Sequence, residues 1–404
     1  MPPALAASAL RVPHSRIREL AELAMAMDAA ATHPAGRVLK LYFGESSIPT
    51  PEFIKRAAQK ALADGYTFYT ENAGLPSLRR ALARHYAETQ AVTLDPETEI
   101  VITASGVQAL NAAIRCVLDP GDEALVLTPA WPNGSSIVAL CNGVARQLAQ
   151  PLAGSRYTID FDALQAAVTP RTRLLLYTSP SNPLGWVATP EEQRRLLDFS
   201  RRHGLWLMAD EVYERICYPE SGLGKPVPSI LKLATRDDAV IVIQSFSKAY
   251  CMTGWRLGWL VSRRDLCARA AQFNEFIVSH AASMTQRAAE TALLWGEASI
   301  RELLARLKEN RDLCHAYLSN LPGVTVPRPE GAFYLFPKIA GLADSFDFCK
   351  RLLLDTKVGV APGVAFGEGG EGSVRICYAA EKAILEEALP RIGQFVRDHA
   401  AAAT

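Results

Sequence analysis

Long apolar runs are missing from this chain. No stretch approaches the roughly 18 residues that cross a bilayer as a helix, so a membrane partner is not expected. An excess of one charge is missing too: 43 Lys and Arg face 42 Asp and Glu, a formal net charge of +1 at pH 7. That balance gives no electrostatic reason to expect nucleic acid or an acidic membrane surface as partner. The eight cysteines (116, 141, 217, 251, 267, 314, 349 and 377) are scattered without a C-x-x-C pair. They read as reduced, mostly buried thiols of a cytoplasmic protein rather than as a disulfide framework or zinc site. The seven histidines include no H-E-x-x-H, and no metal centre is expected. Met1-Pro-Pro-Ala-Leu5 carries neither a basic leader nor a long apolar segment, so no export signal is expected. Gly (26) and Pro (25) stay at ordinary usage, which excludes a collagen-like or low-complexity chain.

What is present is material for a large core: 404 residues, 49% of them apolar. That length suits two or three domains at about 150 residues each. Short β-rich runs alternate with longer amphipathic stretches, the pattern of βαβ units and a largely parallel sheet. Strands are expected at Glu99–Thr103, Glu123–Thr128, Arg173–Tyr177, Trp206–Ala209, Ala239–Gln244, Arg256–Val261 and Ser373–Tyr378. Helices are expected at Leu78–Glu88, Pro190–His203 and Arg287–Ser319. Thr189-Pro190 supplies a capping residue followed by Pro at the first helical position. The strand-rich block 48–290 reads as one α/β domain, with 1–47 and 291–404 forming a second. Gly367-Glu-Gly-Gly-Glu-Gly372 fits G-x-G-x-x-G, but it leads into a strand rather than a helix and carries two glutamates, so it reads as a turn.

The chemistry-bearing residues follow the strands. In an open α/β sheet, ligands bind outside the carboxyl ends of the strands. Strand 173–177 runs into Ser181-Asn182-Pro-Leu-Gly185, and strand 206–209 into Asp210-Glu-Val-Tyr213. Strand 239–244 runs into Ser245-Phe-Ser247-Lys248, with Arg256 eight residues further on. Ser105-Gly106-Val107 joins a strand to a helix and offers backbone N–H groups to an anion. Trp131 follows strand 123–128 at a similar height. In Ser373–Tyr378, Arg375 projects from the face opposite Val374, Ile376 and Tyr378. Singly each feature is ordinary; their order and spacing on successive strand ends match the needs of pyridoxal phosphate. That cofactor requires an amine for its aldehyde, a carboxylate for its ring nitrogen, a phosphate cup, donors for its ring hydroxyl and a flat stacking surface.

With Tyr69-Thr-Glu-Asn-Ala-Gly74, Gly331-Ala-Phe-Tyr334 and Val374-Arg375-Ile-Cys-Tyr378 added, the chain resembles the pyridoxal-phosphate-dependent aminotransferases of fold type I, class I/II. The match extends from Ser15-Arg-Ile-Arg-Glu-Leu20 to the last helix. One departure is Leu184, where the family usually has Thr. The resemblance implies a large domain with a mostly parallel seven-stranded sheet flanked by helices, plus a smaller α+β domain. It implies that Lys248 holds the cofactor aldehyde as a Schiff base and then serves as acid and base, its pKa depressed by desolvation and by Arg256. Asp210 would pair with the ring nitrogen, Asn182 and Tyr213 would bond the ring hydroxyl oxygen, and Trp131 would stack on the ring. The Ser105, Gly106 and Val107 amides, Ser245, Ser247 and Arg256 would hold the phosphate. Arg375 would anchor the substrate carboxylate, with Gly44 and Asn182 beside it. Tyr69 would reach the phosphate of a neighbouring subunit, which implies a homodimer.

Substrates are then an L-amino acid and a 2-oxo acid. Some aspartate-specific relatives place Lys where this chain has Val107, so a neutral, aromatic or sulfur-containing amino donor is expected; Tyr42, Phe43, Phe333 and Tyr334 could line its pocket. The alternatives are a C–S β-lyase or other α,β-elimination enzyme on the same cofactor, and a transcription regulator with an aminotransferase-like domain. The second would need a DNA-binding module, and the roughly 47 residues before the α/β block show no helix-turn-helix pattern.

Overall fold

Seven runs rich in Val, Ile and Leu form one sheet: β1 (Ile100–Thr103), β2 (Glu123–Thr128), β3 (Val144–Ala149), β4 (Thr172–Thr178), β5 (Trp206–Asp210), β6 (Val240–Ser245) and β7 (Gly258–Ser262). The computed structural model describes residues 4, 5, 10, 12, 14–31, 36–220 and 222–402. The spatial order is β1-β7-β6-β5-β4-β2-β3, with β7 antiparallel to both its neighbours and the other pairs parallel. Six of these strands correspond to the expected runs, within one or two residues at each end. The seventh, β3, was not expected: at the sheet edge its residues alternate between exposed and half-buried, so Val-Ala-Arg-Gln-Leu-Ala lacks the continuous apolar signal of a strand covered on both faces.

Alternate residues of the central strands feed two cores. Leu174, Leu176, Ile241 and Ile243 pack under α2 (Gly106–Val117) and α4 (Arg264–Ile277), the helix α1 being Arg16–Ala30 and α3 Pro190–His203. Leu175, Tyr177, Val240 and Val242 belong to the opposite face, with Leu196, Leu197 and Phe199 of α3. That period of two is the pleat of the strand. At the start of α3 Thr189 forms a capping box with Glu192, and Gly204 closes its end in the left-handed conformation (φ 65°).

The stretch 287–319 is two helices rather than one. The first ends at Trp295 and α5 spans Glu297–Ser319. Gly296 marks the break: a Cβ there would meet the Ala292 carbonyl and lie 2.8 Å from the Tyr250 ring. The rest of the chain adds α6 (Ser345–Thr356), α7 (Lys382–Ala402) and a small antiparallel sheet in which β10 (Val374–Cys377) lies between β8 (Tyr334–Leu335) and β9 (Ala361–Pro362). The glycine-rich run 367–372 is a turn leading into β10, as its sequence context suggested. The core cluster on the α3 face of the large sheet continues without a break into these C-terminal elements.

Strand register brings the functional ends together. Thr178 pairs with Asp210, and Gly258 of the antiparallel β7 pairs with both Thr103 and Ser245. Gly258 is needed for this approach: a Cβ there would lie 2.5 Å from the Gly106 amide nitrogen and 2.6 Å from the Gln244 carbonyl oxygen. Gly258→Ala should therefore push α2 away from β7, lowering unfolding free energy by about 1–3 kcal/mol in urea denaturation. Unchanged stability would show that the strands can absorb the methyl group.

Candidate active site

A cavity of about 720 Å³ opens at the carboxyl edge of the sheet. Its walls come from strand-following loops and from β10. Of the residues singled out in the sequence, Gly44, Gly106, Val107, Trp131, Asn182 and Asp210 line it, as do Tyr213, Ser245, Ser247, Lys248, Arg256 and Arg375. Ser105 lies just behind the wall as the N-cap of α2, its hydroxyl accepting from the Gln108 amide at 3.3 Å. Tyr69 is not part of the wall; it is 88% exposed, its ring edge-on to His280 with centroids 5.7 Å apart.

Asp210 ends β5 and is buried. Its Oδ1 accepts one hydrogen bond, from the Val212 amide at 3.3 Å. Burial pushes its carboxyl up to about 6, against the opposing pull of the Val212 N–H and the Lys248 charge. Lys248 follows β6, and its Nζ donates to the Gly44 carbonyl at 2.7 Å. The Tyr213 and Phe333 ring centroids lie 5.5 and 5.9 Å from Nζ. Burial brings the amine down to about 8, and Arg375 acts in the same direction while Cys377, Glu45 and Asp210 oppose it. The cation acting on Lys248 is thus Arg375, not Arg256 as the sequence suggested, because β10 delivers Arg375 to the same cavity.

Arg375 is buried, 2% exposed, so its strand face is not solvated. Its guanidinium donates to Asn182 Oδ1 at 3.0 Å and to the Tyr42 carbonyl, while Nε is buried without a partner. The rings of Tyr334 and Phe366 lie against it at 4.6 and 4.9 Å. Tyr213 and Tyr334 share a hydrogen bond, hydroxyl to hydroxyl, at 2.6 Å.

At the other end of the cavity, α2 presents the amides of Gly106 and Val107 from its first turn, which have no acceptor within the helix. Ser105 holds φ at +114°, a conformation rare for a residue with a side chain and found where surrounding structure enforces it. Ser245 Oγ donates to Ser247 Oγ at 2.8 Å. Arg256 donates to the Thr253 carbonyl at 2.5 Å and has no carboxylate partner among the described residues.

Sequence reading passed over other wall residues. Arg18 on α1 lies with its guanidinium 5.6 Å from the Phe43 ring centroid, and Glu45 accepts from the Thr253 hydroxyl; both line the cavity. Arg18 follows no strand, and Glu45 follows only the two-residue strand Leu39–Lys40, too short to mark the position. The Tyr334 hydroxyl, considered only as part of an apolar pocket, was missed because its partner Tyr213 lies 121 residues away.

Chemically, the donor set fits a phosphorylated pyridine aldehyde. A buried carboxylate without a cation in hydrogen-bond reach, an amine shifted toward neutrality, and, on the same wall as the first-turn amides of α2, an arginine without a carboxylate partner among the described residues meet three of its five needs. Asp210 binds its proton more tightly folded (about 6) than at an ordinary carboxylate value near 4, so the associated stability is present below about pH 4 and lost as pH rises to about 6. In ligand-free protein, Asp210→Asn should therefore raise unfolding free energy at pH 7.5 by roughly 3 kcal/mol and change it little at pH 4. Equal stability of the two proteins at pH 7.5 would count against this assignment.

The arrangement is matched in known proteins. The family model for aminotransferase class I and II matches residues 37–392. The aspartate aminotransferase of Pyrococcus horikoshii is 33% identical over 392 residues, covering 96% of each chain. Aromatic-amino-acid aminotransferase 2 of Thermococcus litoralis is 32% identical, covering 95% of this chain and 96% of that one. An alanine aminotransferase structure from Pyrococcus furiosus superposes with a TM-score of 0.89 at 28% identity, covering 98% of this chain and all of that one. The match over nearly the whole chain and the fit of the cavity agree: the chain belongs to the class I and II aminotransferases and is a pyridoxal-phosphate-dependent transaminase of fold type I.

Proposed function

We propose that this transaminase works through Lys248, Asp210, Tyr213 and Arg375, and that its amino donor is a neutral, aromatic or sulfur-containing L-amino acid with a 2-oxo acid as acceptor. The observation that supports it most is the convergence of the Lys248 amine, the Asp210 carboxylate and the Arg375 guanidinium on one cavity. Bound there, pyridoxal phosphate supplies an electron sink for the substrate α-carbon. Lys248 would hold its aldehyde carbon, Asp210 its ring nitrogen, Asn182 and Tyr213 its ring hydroxyl oxygen, and Trp131 would stack on the ring. The Ser105, Gly106 and Val107 amides, the hydroxyls of Ser245 and Ser247, and Arg256 would hold the phosphate. Arg375 would receive the substrate carboxylate, with the Gly44 backbone beside it on the cavity wall. Once the donor's own amine has taken its place at the aldehyde carbon, the freed Lys248 Nζ, brought down to about 8, would take the α-proton and give it back in the reverse half-reaction.

The donor class rests on Val107, Leu110, Phe43 and Trp131, which give the wall an apolar portion. The names of its relatives span aspartate, aromatic amino acids and alanine. The assembly is a homodimer, supported by exposed aromatic residues: Phe68, Tyr69, Phe276 and Trp295 are 80, 88, 84 and 70% exposed. Tyr69 would complete the phosphate site of the neighbouring copy. The working compartment is the cytoplasm, in keeping with eight free thiols. Residues 48–290 form the large domain, and 1–47 with 291–404 the smaller one.

Lys248→Ala should lose the visible absorbance of the Schiff base and lower turnover by at least about 10²–10⁴-fold; retained activity would remove Lys248 from its role. Arg375→Ala should raise KM for amino donors about tenfold or more, whereas an unchanged KM would place the anchor elsewhere. Donors are screened against 2-oxoglutarate and pyruvate, with keto product scored against amino-group transfer. Release of ammonia and pyruvate without transfer would instead place the chain with the C–S β-lyases.

A further inference from the structure

We infer that Tyr334 is a positioning residue whose hydroxyl sets the direction of the Tyr213 hydrogen bond. The inference rests on the proposed reading in which the Tyr213 hydroxyl bonds the cofactor ring oxygen. The two hydroxyls are 2.6 Å apart and buried. Each carries a single proton, so only one can donate to the other. Burial, together with the neighbouring Tyr334, holds the Tyr213 hydroxyl well above its ordinary range, and burial raises Tyr334 likewise, so both are neutral at working pH.

If Tyr213 gives its proton to a ring oxygen, its own oxygen must be satisfied by a different donor. Tyr334 is the partner in place, so the pair becomes a relay of two bonds pointing toward the cofactor. Donation into the Tyr213 oxygen polarises its O–H and strengthens the bond beyond it. The groups facing the pair are Lys248 and Asp210 beside Tyr213, Arg375 on the Tyr334 ring face, and Cys377, which pairs with Tyr334 across β8 and β10.

Tyr334 is also held too firmly to swing away. Its ring packs on Arg375 and against Phe333, at 4.6 and 4.8 Å respectively. Its hydroxyl fills the space beside Gly44 that a Cβ would need, and the Gly44 carbonyl accepts from Lys248. One side chain thus touches the backbone holding the amine, the partner of the ring oxygen and the substrate anchor.

Tyr334→Phe separates the hydroxyl from the ring, since the phenyl group stays against Arg375. In the holoenzyme, the pH midpoint of the cofactor's visible absorption should rise by about half a unit to one unit, because a donor to the deprotonated ring oxygen is weakened. KM for amino donors should stay within about twofold, because Arg375 and its ring contact remain. Tyr213→Phe should raise the midpoint as well, and Tyr334→Phe should add nothing in that background. A midpoint that moves in Tyr213→Phe but not in Tyr334→Phe overturns the inference and leaves the Tyr213 role standing. Additive shifts, or a raised KM with an unmoved spectrum, also overturn it. A midpoint unmoved by Tyr213→Phe removes the Tyr213 reading itself, and the relay with it.

Discussion

Burial acts on Asp210 and Lys248 in opposite directions with one result. It pushes the carboxyl up to about 6 and the amine down to about 8, so each is driven toward its neutral form in a cavity that gives it few partners. Asp210 has a single backbone donor and Lys248 a single backbone acceptor. Such groups are costly in a folded protein unless something completes them. The remainder of the structure serves to keep both at the cavity wall instead of letting them reach water.

The sheet does most of this. Strands buried on both faces fix the register of β4, β5 and β6, and the register brings Thr178, Asp210 and Ser245 to one edge. The antiparallel β7 enters at that edge, and its glycine at 258 lets the α2 terminus close on the strand. Charge is then distributed around the cavity wall: the first-turn amides of α2, Arg256, Arg375 and the buried acid. A ligand with a dianionic group, a basic ring nitrogen and a carboxylate-bearing substrate attached would meet complementary charge at every point.

Arg375 shows how the second part of the chain enters the site. Its strand is four residues long and the two strands flanking it are two residues each, well short of the usual length. It is held by the core that continues from the large sheet, and the arginine is clamped by two rings, Asn182 and the Tyr42 carbonyl. Every one of those partners is more than eight residues away along the chain, and Asn182 is separated from Arg375 by 193 residues.

Local pattern determined much of this protein. Continuous apolar runs marked six of the seven strands of the large sheet, Thr189 and Pro190 marked a helix start, and polar residues just past strand ends marked the cavity wall, because these depend on neighbours a few residues away. Tertiary structure alone decided the rest. The edge strand β3 became a strand only because β2 was there to pair with it, and 287–319 became two helices meeting at Gly296, where the Tyr250 ring leaves no space for a side chain. Which cation acts on Lys248, and that the Tyr334 hydroxyl meets Tyr213, are contacts across more than 100 residues. Periodicity carries no trace of such contacts, since they are set by how packed layers meet and not by the preferences of either segment.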